Sequence, residues 1–196
     1  LKAHHLLEFY IASLNNEIEQ NNSKYEIFIN DAQRNDITMY GPDINKSGAL
    51  FVRENGNIRF ALAAVKNAGI TLVNEIISER EKNGEYRDLY EFCKRLNFQR
   101  IKKNAVESLI YSGAFDFTGH TRATLINSLT GIIESVNSEN AKNMDSLFDF
   151  SNAEFEQVSY AVTPEFPHIE KLILEKKNLG FYLSEHPLSR YADEIK

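Results

Sequence analysis

"LAAVKNAGITLVNEIISER", residues 62–80, breaks off one helical pattern and starts another with almost nothing between them. A short apolar run, Leu62 to Val65, meets Lys66-Asn67-Ala68-Gly69, after which Leu72, Val73, Ile76 and Ile77 recur on one helix face. So short a connection has to turn through positive φ, which Gly69 adopts freely and Asn67 adopts more readily than most residues. The amides of the turn and of the next helix's first turn then lack helical partners and face outward together, an arrangement suited to an anion.

A similar unit follows. "LYEFCKRL" (89–96) leads into a basic turn, "NFQRIKK" (97–103), and then into "NAVESLIYSGAF" (104–115), where Ala105, Val106, Leu109 and Ile110 form a stripe and Gly113 suits the position just past a helix end. The tripeptide Lys-Asn-Ala occurs at 66–68 and again at 103–105. Two helix–tight turn–helix units with basic turns resemble a tandem helix-hairpin-helix module, a fold that grips duplex DNA by its phosphates and carries no sequence information in those contacts. The plainer alternative is a pair of helical hairpins that only pack on their neighbours.

Outward from this centre the chain is mostly helical. "LKAHHLLEFYIASLNN" (1–16) places Leu6, Leu7, Phe9, Tyr10 and Leu14 at helical spacing, and it begins in mid-pattern without Met or cap, like a cut end. Ser23 and Glu26 form a capping box for a helix with Tyr25, Phe28, Ile29 and Ala32 on its apolar stripe, ending near Asn35. "GPDINKSG" (41–48) is loop, and "ALFVRENGNIRFA" (49–61) reads as two short strands about Asn55-Gly56, the one β element expected. "HTRATLINSLTGIIESV" (120–136) is a further helix. "TPEFPHIEKLILEKKNLGFYLSEHPLSRY" (163–191) opens a last one near Pro164 and Pro167 and runs it through Ile169, Leu172 and Ile173 to Gly180.

Composition limits the function. Across 196 residues, 42% are apolar, enough for a real core, and no run approaches the roughly 18 apolar residues of a membrane span. The chain shows no secretory signal pattern, so a cytoplasmic location is expected. Cys93, the only cysteine, reads as a small buried hydrophobe and excludes an internal disulfide. The net charge of −6 argues against nucleic acid, but it is unevenly spread. Residues 94–103 carry Lys94, Arg95, Arg100, Lys102 and Lys103 without an acid, whereas between 134 and 156 six acids, Glu134, Glu139, Asp145, Asp149, Glu154 and Glu156, face only Lys142. No convergent acid motif for metal-dependent phosphoryl transfer is visible: Asp31, Asp36 and Asp43 fall at a helix end and in a loop, and His4 and His5 read as core and surface residues. His186, held extended by Pro187, reads as a loop residue.

In order, these stretches resemble the alpha subunit of bacterial replicative DNA polymerase III. "PDINKSG", "IRFALAAVKNAG", "LIYSGAFD" and above all "LGFYLSEHPLSRY" carry the resemblance. The expected fold is mainly α, a helical domain with a tandem helix-hairpin-helix module and one short β-hairpin. The resemblance divides the chain into the helical end of the fingers (1–48), the hairpin (49–61), the module (62–117), a helix (118–140), an acidic flexible linker (141–163) and a C-terminal helix and loop (164–196). It implies an internal piece without the family's palm, so that the catalytic aspartates and their magnesium belong to a missing domain of a parent DNA-directed DNA polymerase, and no catalytic residue or cofactor is expected here.

The same resemblance gives roles to particular residues. Lys66, Asn67, Gly69, Thr71, Arg100, Lys102, Lys103 and Asn104 would face duplex phosphates. The family's first turn usually carries two glycines, and Asn67 stands in place of one. The linker's apolar residues, puzzling in "KNMDSLFDFSNAEFEQ" (142–157), also find a use: the family has a sliding-clamp-binding peptide there, usually Gln, two variable residues, Leu or Met, then Phe. Met144, Asp145, Ser146, Leu147 and Phe148 occupy that place, with Met144 departing from the usual Gln. The implied partners are double-stranded DNA, the beta sliding clamp and other replisome subunits, with a helical protein–protein scaffold as the alternative.

Overall fold

The apolar stripes become seven α-helices in the computed structural model, which describes residues 5–20, 25–96, 102–145 and 159–185. Helices α1 (Leu6–Glu19) and α2 (Tyr25–Gln33) pack as a pair. Tyr10 is buried between them with its hydroxyl donating to Asp31 at 2.8 Å, while Asn35 donates back to that hydroxyl at 3.1 Å. Strands β2 (Val52–Glu54) and β3 (Asn57–Arg59) form the expected hairpin, and Asn55 and Gly56 both take positive φ as a tight two-residue turn demands. The expectation of a single hairpin falls short by one strand: β1 (Met39–Tyr40) pairs parallel to β3, giving a sheet of order β1-β3-β2. Two residues of strand leave no alternation to read, so nothing in the sequence announced β1.

A side-chain amide of α1 is bonded to the chain just ahead of β2. Asn15 donates to the carbonyl of Phe51 at 3.1 Å and accepts its N–H at 2.8 Å, a two-way bond that ties residues 36 positions apart. Past β3 a short 3-10 turn, Leu62–Ala64, precedes α3 (Ile70–Asn83), α4 (Leu89–Arg95) and α5 (Lys103–Tyr111). Asp88 caps α4 by accepting the amide of Glu91 at 2.7 Å. Cys93 is buried, and burial raises its thiol pKa far above the usual range, which leaves it a packing residue.

Helix α6 (Arg122–Asp145) continues five residues beyond the boundary at 140 drawn from the sequence, and α7 (His168–Leu179) closes the described fold. The extension has a partner: Glu139 accepts the Tyr90 hydroxyl and pairs with Lys94 at 2.7 Å, so α4 supports the outer part of α6. After the undescribed stretch 146–158 the chain returns along α6. Tyr160 stacks on His120 at 4.3 Å, and the amides of Ala161 and Thr163 donate to the hydroxyls of Ser128 and Thr124. Glu165 then accepts the first amides of α6, from Arg122 and Ala123, at 3.3 and 3.2 Å. Burial works against ionisation of Glu165, but these amides, that of Phe166 and the Lys171 ammonium hold it below the usual carboxylate range.

One apolar core runs through all of this. An aromatic chain passes from Tyr25 to Phe51, Phe60 and Phe181, linking α2, the sheet and the loop after α7. A second runs from Tyr86 through Phe92 to Phe115, and both belong to one continuous cluster. Among the described residues no helix is long and apolar enough to cross a membrane.

A buried ion cluster fixes where α7 lies. The Arg122 guanidinium grips Asp116 with two bonds, 3.0 and 2.7 Å, donates to the carbonyl of Tyr111 at the end of α5, and lies 3.6 Å from Glu175 of α7. Gly113 makes room for it, because a Cβ there would collide with the guanidinium. Glu175, only 1% exposed, also accepts the amides of Leu183 and Ser184. Arg122→Ala strands the buried Glu175 carboxylate and is expected to lower unfolding free energy by about 3–5 kcal/mol in urea titration. Arg122→Lys recovers only part of the loss, since an ammonium cannot form the two-pronged bond to Asp116.

Candidate nucleic acid interface

The first turn has the geometry that its residues suggest. Asn67 takes φ 62° and Gly69 takes φ 54°, ψ 142°, as the residue that caps α3. Ala68 closes the turn by donating to the carbonyl of Val65 at 3.1 Å. Val65 and Ala68 are buried while Lys66, Asn67, Gly69 and Thr71 are exposed, so the turn is pinned from below and open above. The first bond along α3 is from Val73 to the carbonyl of Gly69. The amides of Ile70, Thr71 and Leu72 therefore have no carbonyl one turn back, and no side chain caps them from Gly69.

Asn67 does more than tolerate its backbone. Its side-chain amide donates to the buried hydroxyl of Ser108 at 3.0 Å, in α5 of the second hairpin. The two helical hairpins are thereby fastened to each other at the very turn that faces outward. A glycine there would keep the φ and lose the fastening, which gives Asn67 a structural use beyond the turn. Sequence reasoning missed this tie because no local pattern connects positions 41 residues apart.

The second turn is less open than its sequence suggests. Lys102 caps α5 and is exposed, as is Asn104. Lys103 is exposed too, but its ammonium donates to Thr130 of α6 at 2.7 Å and lies 3.9 Å from Glu107. Arg100 lies outside the described residues. The repeated tripeptide is also not a structural repeat: Lys66-Asn67-Ala68 precedes the cap of α3, whereas Lys103-Asn104-Ala105 begins α5 itself. Aligned by their helix starts, Gly69 corresponds to Lys102.

The acid-free reading of residues 94–103 changes in three dimensions. Lys94 is paired with Glu139, whose carboxylate raises the lysine's pKa, and Arg95 is paired with Glu79 at 3.0 Å and lies 4.3 Å over the Tyr86 ring. These cations hold helices together and are not offered to a ligand. Acids distant in sequence supply the partners, and a count along the chain cannot register them.

Of the candidate clamp peptide, Met144 and Asp145 end α6, while Ser146, Leu147 and Phe148 lie outside the described residues. Asp31 and Asp43 are both engaged locally, Asp31 with Tyr10 and Asp43 with the amide of Asn45. Among the described residues no three His, Cys, Asp or Glu side chains are grouped to hold a metal ion.

Gly69→Ala isolates the backbone requirement. A Cβ at this position meets nothing within 4 Å, so any cost comes from forcing an L-residue into a region of φ and ψ that glycine occupies. The expected loss is about 1–3 kcal/mol of unfolding free energy, read from denaturant titration, with no packing defect to explain it.

Comparison with known proteins agrees with this geometry. A helix-hairpin-helix motif family matches residues 36–125, the span that holds the sheet, both hairpins and the start of α6. DNA polymerase III subunit alpha of Neisseria meningitidis serogroup A is 34% identical over 198 residues, that of Bacillus subtilis 33% over 196, and that of Borreliella burgdorferi 37% over 201, each match covering 100% of this chain. The chain spans 17% of the length of each of these relatives. With its helical hairpins in place and its full length matched at this level, the chain belongs to the family of DNA polymerase III subunit alpha.

Proposed function

We propose that the chain holds duplex DNA by its phosphate backbone and docks a beta sliding clamp, keeping a replicative polymerase on its primer-template. The observation that carries the DNA half is the Asn67–Ser108 bond between two helical hairpins, which presents the exposed Lys66 and the free amides of α3 on the same rigid body as Lys102 and Asn104. Such contacts neutralise phosphates and read no bases. The contact set is Lys66, Asn67, Gly69, Thr71, Arg100, Lys102, Lys103 and Asn104.

The clamp half rests on placement. The acidic segment that follows the helical module bears Leu147 and Phe148, a pair suited to an apolar pocket on a partner. Burying them yields roughly 1.5–3 kcal/mol each before ordering losses, so the peptide alone binds weakly. With the duplex held by the same chain, each contact raises the effective concentration of the other. In this reading the whole polymerase is a cytoplasmic nucleotidyltransferase whose magnesium ions sit in a palm domain. The described residues group no ligands for a metal, and no step of that chemistry is assigned to them. Other replisome subunits would be met through the remaining domains.

Two measurements test the two halves. Changing Lys66, Arg100, Lys102 and Lys103 together to Ala is expected to weaken binding to unrelated duplexes alike. It should also flatten a salt dependence whose log–log slope, with about four phosphates neutralised, lies near −3.6. Unchanged binding would favour a protein-binding scaffold.

For the clamp, Leu147→Ala with Phe148→Ala is expected to abolish binding while leaving melting temperature and duplex affinity in place. A packed local cluster would instead lose roughly 2–5 kcal/mol per residue, and that result would count against the docking peptide.

A further inference from the structure

Asn-Gly occurs twice in the chain, at 55–56 and at 83–84, and the fold treats the two pairs in opposite ways. The dipeptide is chemically special because glycine has no side chain to hinder its own amide nitrogen as it approaches the preceding asparagine's Cγ. Attack there closes a five-membered ring within one chain, so proximity replaces a second reactant. Asparagine is among the thermolabile residues, and which asparagine reacts depends on how the fold holds the two groups.

At 83–84 both reacting groups are engaged. Asn83 is the last residue of α3, and its side-chain amide donates to Glu79 at 2.7 Å. The amide of Gly84, the group that would have to attack, donates to the carbonyl of Arg80 at 2.9 Å as the cap of the same helix. Ring closure there requires both bonds to break and the end of α3 to unwind.

At 55–56 neither group is engaged. Asn55 and Gly56 are the exposed turn between β2 and β3, with φ 49° and 79°. Among the described residues the Asn55 side chain has no hydrogen-bond partner and the Gly56 amide donates to none. A Cβ built on Gly56 meets nothing within 4 Å, so open space surrounds its nitrogen.

We propose that Asn55 is a site of spontaneous deamidation through a succinimide, and that the fold protects Asn83 from the same reaction. The Gly56 nitrogen gives its proton to solvent hydroxide and bonds to Cγ of Asn55, and ammonia leaves. Water then opens the ring at either carbonyl, leaving aspartate or isoaspartate at 55. The net exchange takes up one water and releases one ammonia, with no oxidant, reductant or cofactor. The isoaspartate product carries the main chain through an extra methylene, in a turn whose two residues set Glu54 opposite Asn57 and Arg53 opposite Ile58.

The test incubates the chain at mildly alkaline pH, once folded and once in urea, and follows the peptides holding 55 and 83 by liquid chromatography and mass spectrometry. Isoaspartate is confirmed by labelling with an isoaspartyl methyltransferase. In urea the two pairs are expected to convert at similar rates. In the folded chain, conversion at 55 should lead conversion at 83 by about tenfold or more, since two ordinary hydrogen bonds have to open at 83. The rate at 55 should also rise with pH, because the attacking nitrogen has to lose its proton. Asn83 keeping pace with Asn55 in the folded chain would overturn the proposal. So would an Asn55 that stays intact when folded, conversion at neither pair in urea, or a rate at 55 indifferent to pH.

Discussion

The Arg122 guanidinium is the constraint on which the arrangement of the outer helices depends. It joins the half-exposed Asp116, the Tyr111 carbonyl at the end of α5 and Glu175 of α7, with the guanidinium and Glu175 themselves buried. A charge so placed is costly to desolvate, and the cost is offset only when each donor finds its acceptor in good geometry. That requirement selects one arrangement of α5, α6 and α7 out of the many that apolar packing alone would tolerate. Apolar surfaces slide past one another at little cost, while a two-pronged bond fixes both distance and direction. The position of α7 against the first turn follows from it, and so does the loop at Leu183 and Ser184, whose amides complete the coordination of Glu175.

Much of the helical fold was legible because it is written in local periods. The stripe from Leu72 to Ile77, the Asn55-Gly56 turn, and the stop at Gly180, which takes φ 90°, are decided within a few residues of themselves. What escaped was non-local. Strand β1 exists because Met39 and Tyr40 happen to lie beside β3, and two residues cannot declare a period. The outer part of α6 persists past 140, where Tyr90 and Lys94 reach Glu139 from a helix 45 and more residues earlier. The helical spacing of α6 alone weakens there, and tertiary contact supplies the difference.

The charge pattern shows the same division between what a sequence records and what a fold decides. Five cations in residues 94–103 read as an electrostatic patch, but Lys94 and Arg95 meet Glu139 and Glu79, and Lys103 leans on Thr130. Meanwhile Lys177, in a segment that read as an ordinary amphipathic helix, comes to stand beside the first turn. A cation's value for binding a polyanion depends on whether it is already neutralised. Sequence proximity reports the number of charges and not their pairing.

The Lys66–Asn178 bond connects these two themes. It is a structural bond, since it satisfies both a turn amide and a helix-end carbonyl that would otherwise need water. It also bears on electrostatics, because it gives a partner to a helix-end carbonyl and brings Lys177 beside the turn that carries Lys66. The orientation that the Arg122 cluster imposes on α7 is what makes that bond possible. Stability and the proposed binding thus draw on the same contacts: the ion cluster sets the helix, the helix end bonds the turn, and the turn leaves Lys66 and the first amides of α3 facing solvent.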